Sequence, residues 1–106
     1  MSRKRVEDTL DNLVVALCLD YGRRQRAILE KNASKRTDTE YRYYNFKIFD
    51  AAAEIVGERF AELYIEEIGG RVGYAQSAVG CVSEITYKSY KMLIKENIAK
   101  KLHLRD

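Results

Sequence analysis

Residues 69–102 read GGRVGYAQSAVGCVSEITYKSYKMLIKENIAKKL, and the reading of this stretch decides the fold. Gly69–Gly70 stops a preceding helix, because glycine reaches positive φ without steric cost. Val72 to Val79 offers about two helical turns, with Val72, Ala75, Ala78 and Val79 at helical spacing. Gly80–Cys81–Val82 makes a turn. Ser83 stands where an N-cap belongs, its hydroxyl able to accept from the free N–H groups of the next helix. That helix runs from Glu84 to Leu102, about 28 Å at roughly 1.5 Å per residue.

At about 100° per residue, Tyr87, Tyr90, Ile94 and Ile98 share one arc of this last helix. Lys88, Lys91 and Lys95 form a stripe beside it, headed by Glu84, while Ile85, Ser89 and Met92 lie opposite the apolar arc. One buried arc and a lysine-bearing outer surface, entered through a serine-capped turn, is how a DNA-reading helix is presented. The same spacing also describes a plain helical hairpin with a solvated lysine face.

Upstream, helical spacing continues. Leu10, Leu13, Val14, Leu17, Cys18 and Tyr21 make an apolar stripe on a helix predicted over 6–31, passing through Gly22. Glu7, Asp8 and Asp11 suit the positive end of its dipole. Met1–Arg5 reads as a basic tip. NASKRT at 32–37 is a loop, with Asp38 and Thr39 as cap candidates for a helix over 39–56. Tyr41, Tyr44, Ile48, Ala51, Ala52 and Ile55 form its apolar side. The aromatic and basic run YRYYNFKIF could stack on nucleobases, but its helical spacing favours core packing. After a junction at Gly57, ERFAELYIEEI makes a helix over 58–68 with Glu58, Glu62, Glu66 and Glu67 on an acidic outer face.

The whole is an all-α single domain over 1–106, a small bundle of five helices over 6–31, 39–56, 58–68, 72–80 and 84–102. Residues 1–56 supply N-terminal helices, and 57–106 a C-terminal helix-turn-helix portion. Net charge is +3 and unevenly spread. Segment 23–47 carries eight Arg and Lys against three Asp and Glu, a net +5, whereas 48–68 nets −5. That asymmetry fits one face toward an anionic partner, or acidic and basic helices packed together.

No apolar run approaches the roughly 18 residues of a membrane span, so no membrane partner is expected. Cys18 and Cys81 sit among aliphatic residues and read as buried, reduced thiols, which together with the lack of a signal-peptide core indicates a cytoplasmic protein. Neither has a metal-binding companion, and the sole histidine, His103, lies near the end. GGRVG lacks the lysine and strand context of a phosphate loop. Neither enzymatic activity nor a cofactor or metal is expected.

SEITYKSYKMLIKENIAKKL, residues 83–102, resembles the ArpU/RinA-type transcriptional regulators of Gram-positive phages and prophages. Their C-terminal part is similar to the fourth region of bacterial sigma factors. In that pattern an acidic helix (here 58–68), a short helix (72–79) and a serine-led recognition helix (from 83) precede a closing segment (97–102). The turn departs from the pattern: Gly80 falls one residue early, and Cys81 occupies the usual glycine position. The resemblance implies a regulator that binds double-stranded DNA and activates late or packaging genes, with RNA polymerase as a further partner. Separately, the N-terminal helices are expected to complete the core and offer a homodimer surface. On this reading Lys88, Lys91 and Lys95 reach phosphates or groove edges. Ser83, Glu84 and Ser89 open the reading surface, Glu84 accepting from a cytosine amino group. Arg71 and Tyr74 touch backbone phosphate. A phage structural or packaging accessory, binding protein through its helices without sequence-specific DNA readout, is the alternative.

Overall fold

Apolar residues three and four apart are realised as helix everywhere except over 72–80. In a computed structural model describing residues 3–105, with side chains from Glu7 onward, five α-helical segments follow one another. They are α1 (Arg3–Leu19), α2 (Tyr21–Glu30), α3 (Lys35–Val56), α4 (Glu58–Gly69) and α5 (Glu84–Lys101), with one 3-10 turn at Tyr74–Gln76. No strand occurs among the described residues. The class is all-α, but the segments are not the set the sequence suggests. Of the basic tip, Met1 and Ser2 lie outside the described residues, and Arg3–Arg5 already belong to α1.

The continuous helix predicted over 6–31 is interrupted at Asp20, between α1 and α2. Gly22 sits inside α2. Packing accounts for the bend. The Arg24 guanidinium reaches back and donates to the Leu17 carbonyl at 2.5 Å, and a side chain entering the helical ladder is a common cause of kinking. α4 also ends against this point: a Cβ on Gly69 would lie 2.5 Å from the Leu19 nitrogen.

α3 begins four residues before its predicted start. Its cap is Ser34, whose Oγ accepts from the Thr37 N–H at 3.2 Å; Asp38, the expected cap, instead pairs with Arg42 at 2.7 Å. Gly57, at φ 86, is the whole connection between α3 and α4. A side chain would be strained there, and this one residue turns the chain back along itself.

The short helix predicted over 72–80 does not form, so the helix-turn-helix lacks its first helix. Gly73 and Ser77 are extended and flank only the three-residue 3-10 turn. The Glu67 carboxylate draws the segment into other bonds, accepting from Ser77 Oγ at 2.6 Å and from the Ala78 N–H at 2.8 Å. The Val79 N–H turns to Ser77 Oγ at 3.0 Å. These backbone donors are satisfied without a helical ladder, in a segment that glycines at 73 and 80 already make a poor helix.

The core runs through Val14 and Cys18 of α1, Ile48, Ala51 and Ala52 of α3, Ala61, Tyr64, Ile65 and Ile68 of α4, and Tyr87, Ile94 and Ile98 of α5. Each fully buried isoleucine contributes about 1.5–3 kcal/mol relative to exposure. Alanines at 51, 52 and 61, all fully covered, let the helices approach closely. The molecule is a plate of 41 × 39 × 21 Å. Both cysteines are free; Cys18 is buried, but Cys81 is exposed, contrary to expectation. Cys81 adopts a left-handed φ of 59 directly after Gly80 at 63, and the tight turn leaves its side chain outside.

Candidate nucleic-acid interface

α5 is built as its sequence indicates. Ser83 caps it, Oγ accepting from the Thr86 N–H at 3.1 Å. Tyr87, Ile94, Ile98 and Ala99 are buried, and Tyr90 partly so. Burial of this arc turns Ile85, Lys88 and Met92 outward, with Ile85 82% exposed. Glu84 is exposed and meets Lys88 at 3.5 Å, a surface pair of small energetic weight. Ser89 is half-buried.

The three lysines of the stripe part ways. Lys88 alone is well exposed. Lys91 bends inward, its Nζ donating to the Val72 carbonyl at 2.6 Å and lying 4.9 Å from the Tyr87 ring centroid. Burial lowers its pKa. Lys95 pairs with Asp11 of α1 at 2.8 Å. Further along, Lys101 is held by Asp50 and Glu54 of α3. Most of the charge on α5 is therefore spent in fastening the helix to the connector, α1 and α3.

The other two candidates also serve the connector over 70–83. Arg71, left-handed at φ 53, donates to Asn12 Oδ1 at 2.9 Å. Tyr74 donates to the Val82 carbonyl at 2.7 Å and packs its ring 5.8 Å from that of Tyr87. Arg71, Tyr74 and Lys91 thus gather around one loop, while Lys95 and the pair Glu84–Lys88 stand apart from it.

Glu67 is the centre of that loop. Expected on an acidic outer face, it is buried, and accepts from Tyr87 Oη at 2.6 Å in addition to Ser77 and Ala78. Burial pushes its carboxyl up, but the hydrogen bonds together outweigh burial and hold it below the usual glutamate value. Tyr87 is pushed up to about 12, by burial first and then by its bond to Glu67. The neighbouring Tyr64 hydroxyl is the one buried side-chain polar atom without a hydrogen-bond partner among the described residues.

A second basic region lies on α2 and the first half of α3. Arg24 is buried there, its Nε donating to Asn45 Oδ1 at 2.8 Å. Asn45 is also buried, and its amide donates to the Tyr21 carbonyl at 3.1 Å and to Gln25 Oε1 at 3.0 Å. Sequence reading missed this pair. The signal was present: Arg24 falls in line with Tyr21 and Ile28, and Asn45 with Ile48 and Ala52, polar residues on apolar stripes. Part of the aromatic run is not core as expected: Tyr43 and Tyr44 are exposed and Phe46 is 68% exposed, whereas Ile48 is buried and Phe49 packs against the core. Lys47 lies 5.8 Å from the Tyr43 ring, and Arg23 5.5 Å from the Tyr41 ring.

No family model, no curated protein and no solved structure matches this chain. Among the described residues no group of His, Cys, Asp and Glu is placed to hold a metal ion. None of the described helices is long and apolar enough to cross a membrane.

Proposed function

We propose that the protein is a DNA-binding regulator of transcription of the phage and prophage type, contacting duplex DNA with the opening turns of α5. One observation carries the reading. α5 is gripped from behind by buried Tyr87, Ile94 and Ile98, yet Ser83, Glu84, Ile85 and Lys88 on its first two turns are uncovered. A rigid helix with a polar, exposed N-terminal end is suited to entering a major groove. Lys91 and Lys95 are not free to reach phosphates in this arrangement, and the helix-turn-helix is reduced to α5 and its connector. The resemblance at residues 83–102 adds RNA polymerase as a further partner, and we propose a second copy of the chain as another, paired through the N-terminal helices.

Selection of bound duplexes from a random pool tests this. The reading requires enrichment of a defined sequence by the wild-type protein. Glu84→Ala should relax preference at one position by roughly 1–3 kcal/mol. Absence of duplex binding at low salt would remove the reading.

A protein-binding helical module, as in a phage packaging accessory, is the second reading. It is favoured by apolar side chains left exposed on α1 and α5, namely Leu13, Ile85 and Met92. Retention of partner binding in high salt, with no affinity for duplex, would select it over the first.

A further inference from the structure

The geometry points to the hairpin of α2 and α3, rather than the lysine stripe of α5, as the surface that grips the phosphate backbone of duplex DNA. This inference takes its DNA partner from the function proposed above and assigns a second, separate contact to it.

The argument is a balance of charges. A cation already held by a carboxylate or carbonyl inside its own protein gains little from a phosphate, since it must leave one partner for another. On α5, Lys95 and Lys101 meet carboxylates and Lys91 meets a carbonyl, leaving Lys88, in a loose 3.5 Å pair with Glu84, and Lys100 exposed. At the hairpin the opposite holds. Arg26, Lys31 and Lys35 are exposed and have neither an ion pair nor a side-chain hydrogen bond. Arg36 reaches Glu40 only at 3.8 Å, with 92% of its side chain exposed. These four cations lie within eleven residues around the turn joining α2 to α3, a stretch whose one acid is Glu30; Glu40, one turn further along α3, is the carboxylate that Arg36 approaches.

Shape adds to charge. Between the two helices is a groove of about 390 Å³ whose walls include Arg23, Arg26, Asn32 and Tyr41, together with Glu30. Arg23 is held over one wall by its bond to Tyr41 Oη at 3.1 Å and by a loose, exposed pair with Asp20 at 3.4 Å, so its guanidinium is positioned before a ligand arrives. Charged and neutral donors along a concave strip suit a run of phosphates, which takes several contacts at once. An anionic membrane surface would draw on the same charge. It is disfavoured because, beside the polar side chains, the groove walls hold only Ala27, Ala33 and the Tyr41 ring and carry no large aliphatic group.

The test compares three folded proteins: wild type, Arg26→Gln/Lys31→Gln/Lys35→Gln, and Arg59→Gln/Lys100→Gln/Arg105→Gln, which loses the same net charge outside α2 and α3. Affinity for a mixed-sequence duplex is measured between about 50 and 200 mM salt. The hairpin variant should bind on the order of tenfold or more weakly at low salt, with the log–log salt slope reduced by about 2–3. The control should keep most of the slope, and all three should melt alike because every changed residue is on the surface. If wild type binds and the hairpin variant binds equally well, the inference is overturned while the proposed function stands. Equal losses in both variants would show net charge alone at work and also overturn it. If wild type binds no duplex, the proposed function fails and the inference with it. Binding to phosphatidylserine vesicles with no binding to duplex would give the hairpin to a membrane and overturn it too.

Discussion

The Tyr87 hydroxyl donates to the Glu67 carboxylate at 2.6 Å, joining the last turn of α4 to the start of α5 across twenty residues of sequence. The same carboxylate receives Ser77 and Ala78 from the connector. Its pKa lies below the ordinary 4.5 in the folded protein, so ionised Glu67 stabilises the fold at neutral pH. That contribution is lost as pH falls from about 4.5 through the lower folded value. Glu67→Gln should cost about 1–3 kcal/mol at neutral pH, since buried donors lose a charged acceptor. Urea midpoints at neutral and acid pH should show the gap between wild type and variant narrowing on acidification; a gap that does not change would contradict the assignment.

Alkali should act in the opposite direction. Burial raises Cys18 from 9.0 to about 12, and Tyr21 and Tyr87 from 10.0 to about 12. Each group is neutral when folded and ionises more readily when unfolded. Their stabilisation is complete below pH 9 and is withdrawn as pH climbs toward 12. Tyrosinate absorbance followed against pH should show a late class of tyrosines that ionises together with unfolding. A single titration of all eight tyrosines near their ordinary value, without loss of helix, would be incompatible with this packing.

Two glycines predict opposite signs. A Cβ at Gly69 would overlap the Leu19 nitrogen at 2.5 Å and its Cα at 2.6 Å, both backbone atoms that cannot swing aside. Gly69→Ala should therefore destabilise by about 1–3 kcal/mol. Gly22 meets nothing within 4 Å and lies in α2, where alanine is the better helix former. Gly22→Ala should stabilise by about 0.5–1 kcal/mol. Thermal melts of the two variants decide, and a Gly69→Ala protein as stable as wild type would reject the α1–α4 contact.

The two thiols should differ in rate. Cys81 is exposed, whereas Cys18 is buried with a raised pKa. Native protein treated with a thiol reagent should label Cys81 promptly and Cys18 only after unfolding. Equal prompt labelling of both would mean that α1 does not pack as described.

Helical class was legible because burial on one side of each helix imposes spacing directly on the sequence. α5 is the best case: Ser83, Tyr87, Ile94 and Ile98 sit where their spacing puts them. The connector was not legible, because its conformation is decided by Glu67, ten residues away from Ser77 and attached only through tertiary hydrogen bonds. Nothing in the pattern of 72–80 records that competition. The lysine stripe was legible as a stripe, but not its use, since Asp11 and the Val72 carbonyl are brought to Lys95 and Lys91 only by folding. At α3 helical spacing marks the aromatic run as core, but only the side carrying Asn45, Ile48 and Phe49 turns inward, while Tyr43, Tyr44 and Phe46 are exposed.

At 21 Å in its thin direction, the plate has room for about two helix diameters of 10–12 Å. It has no inner layer. Every helix is a boundary between the common seam and water, and each broad side belongs to residues the seam does not use. Changes to the outward positions of one side can therefore accumulate while the seam is kept. A lineage carrying this scaffold is free to exchange what it recognises without rebuilding what holds it together.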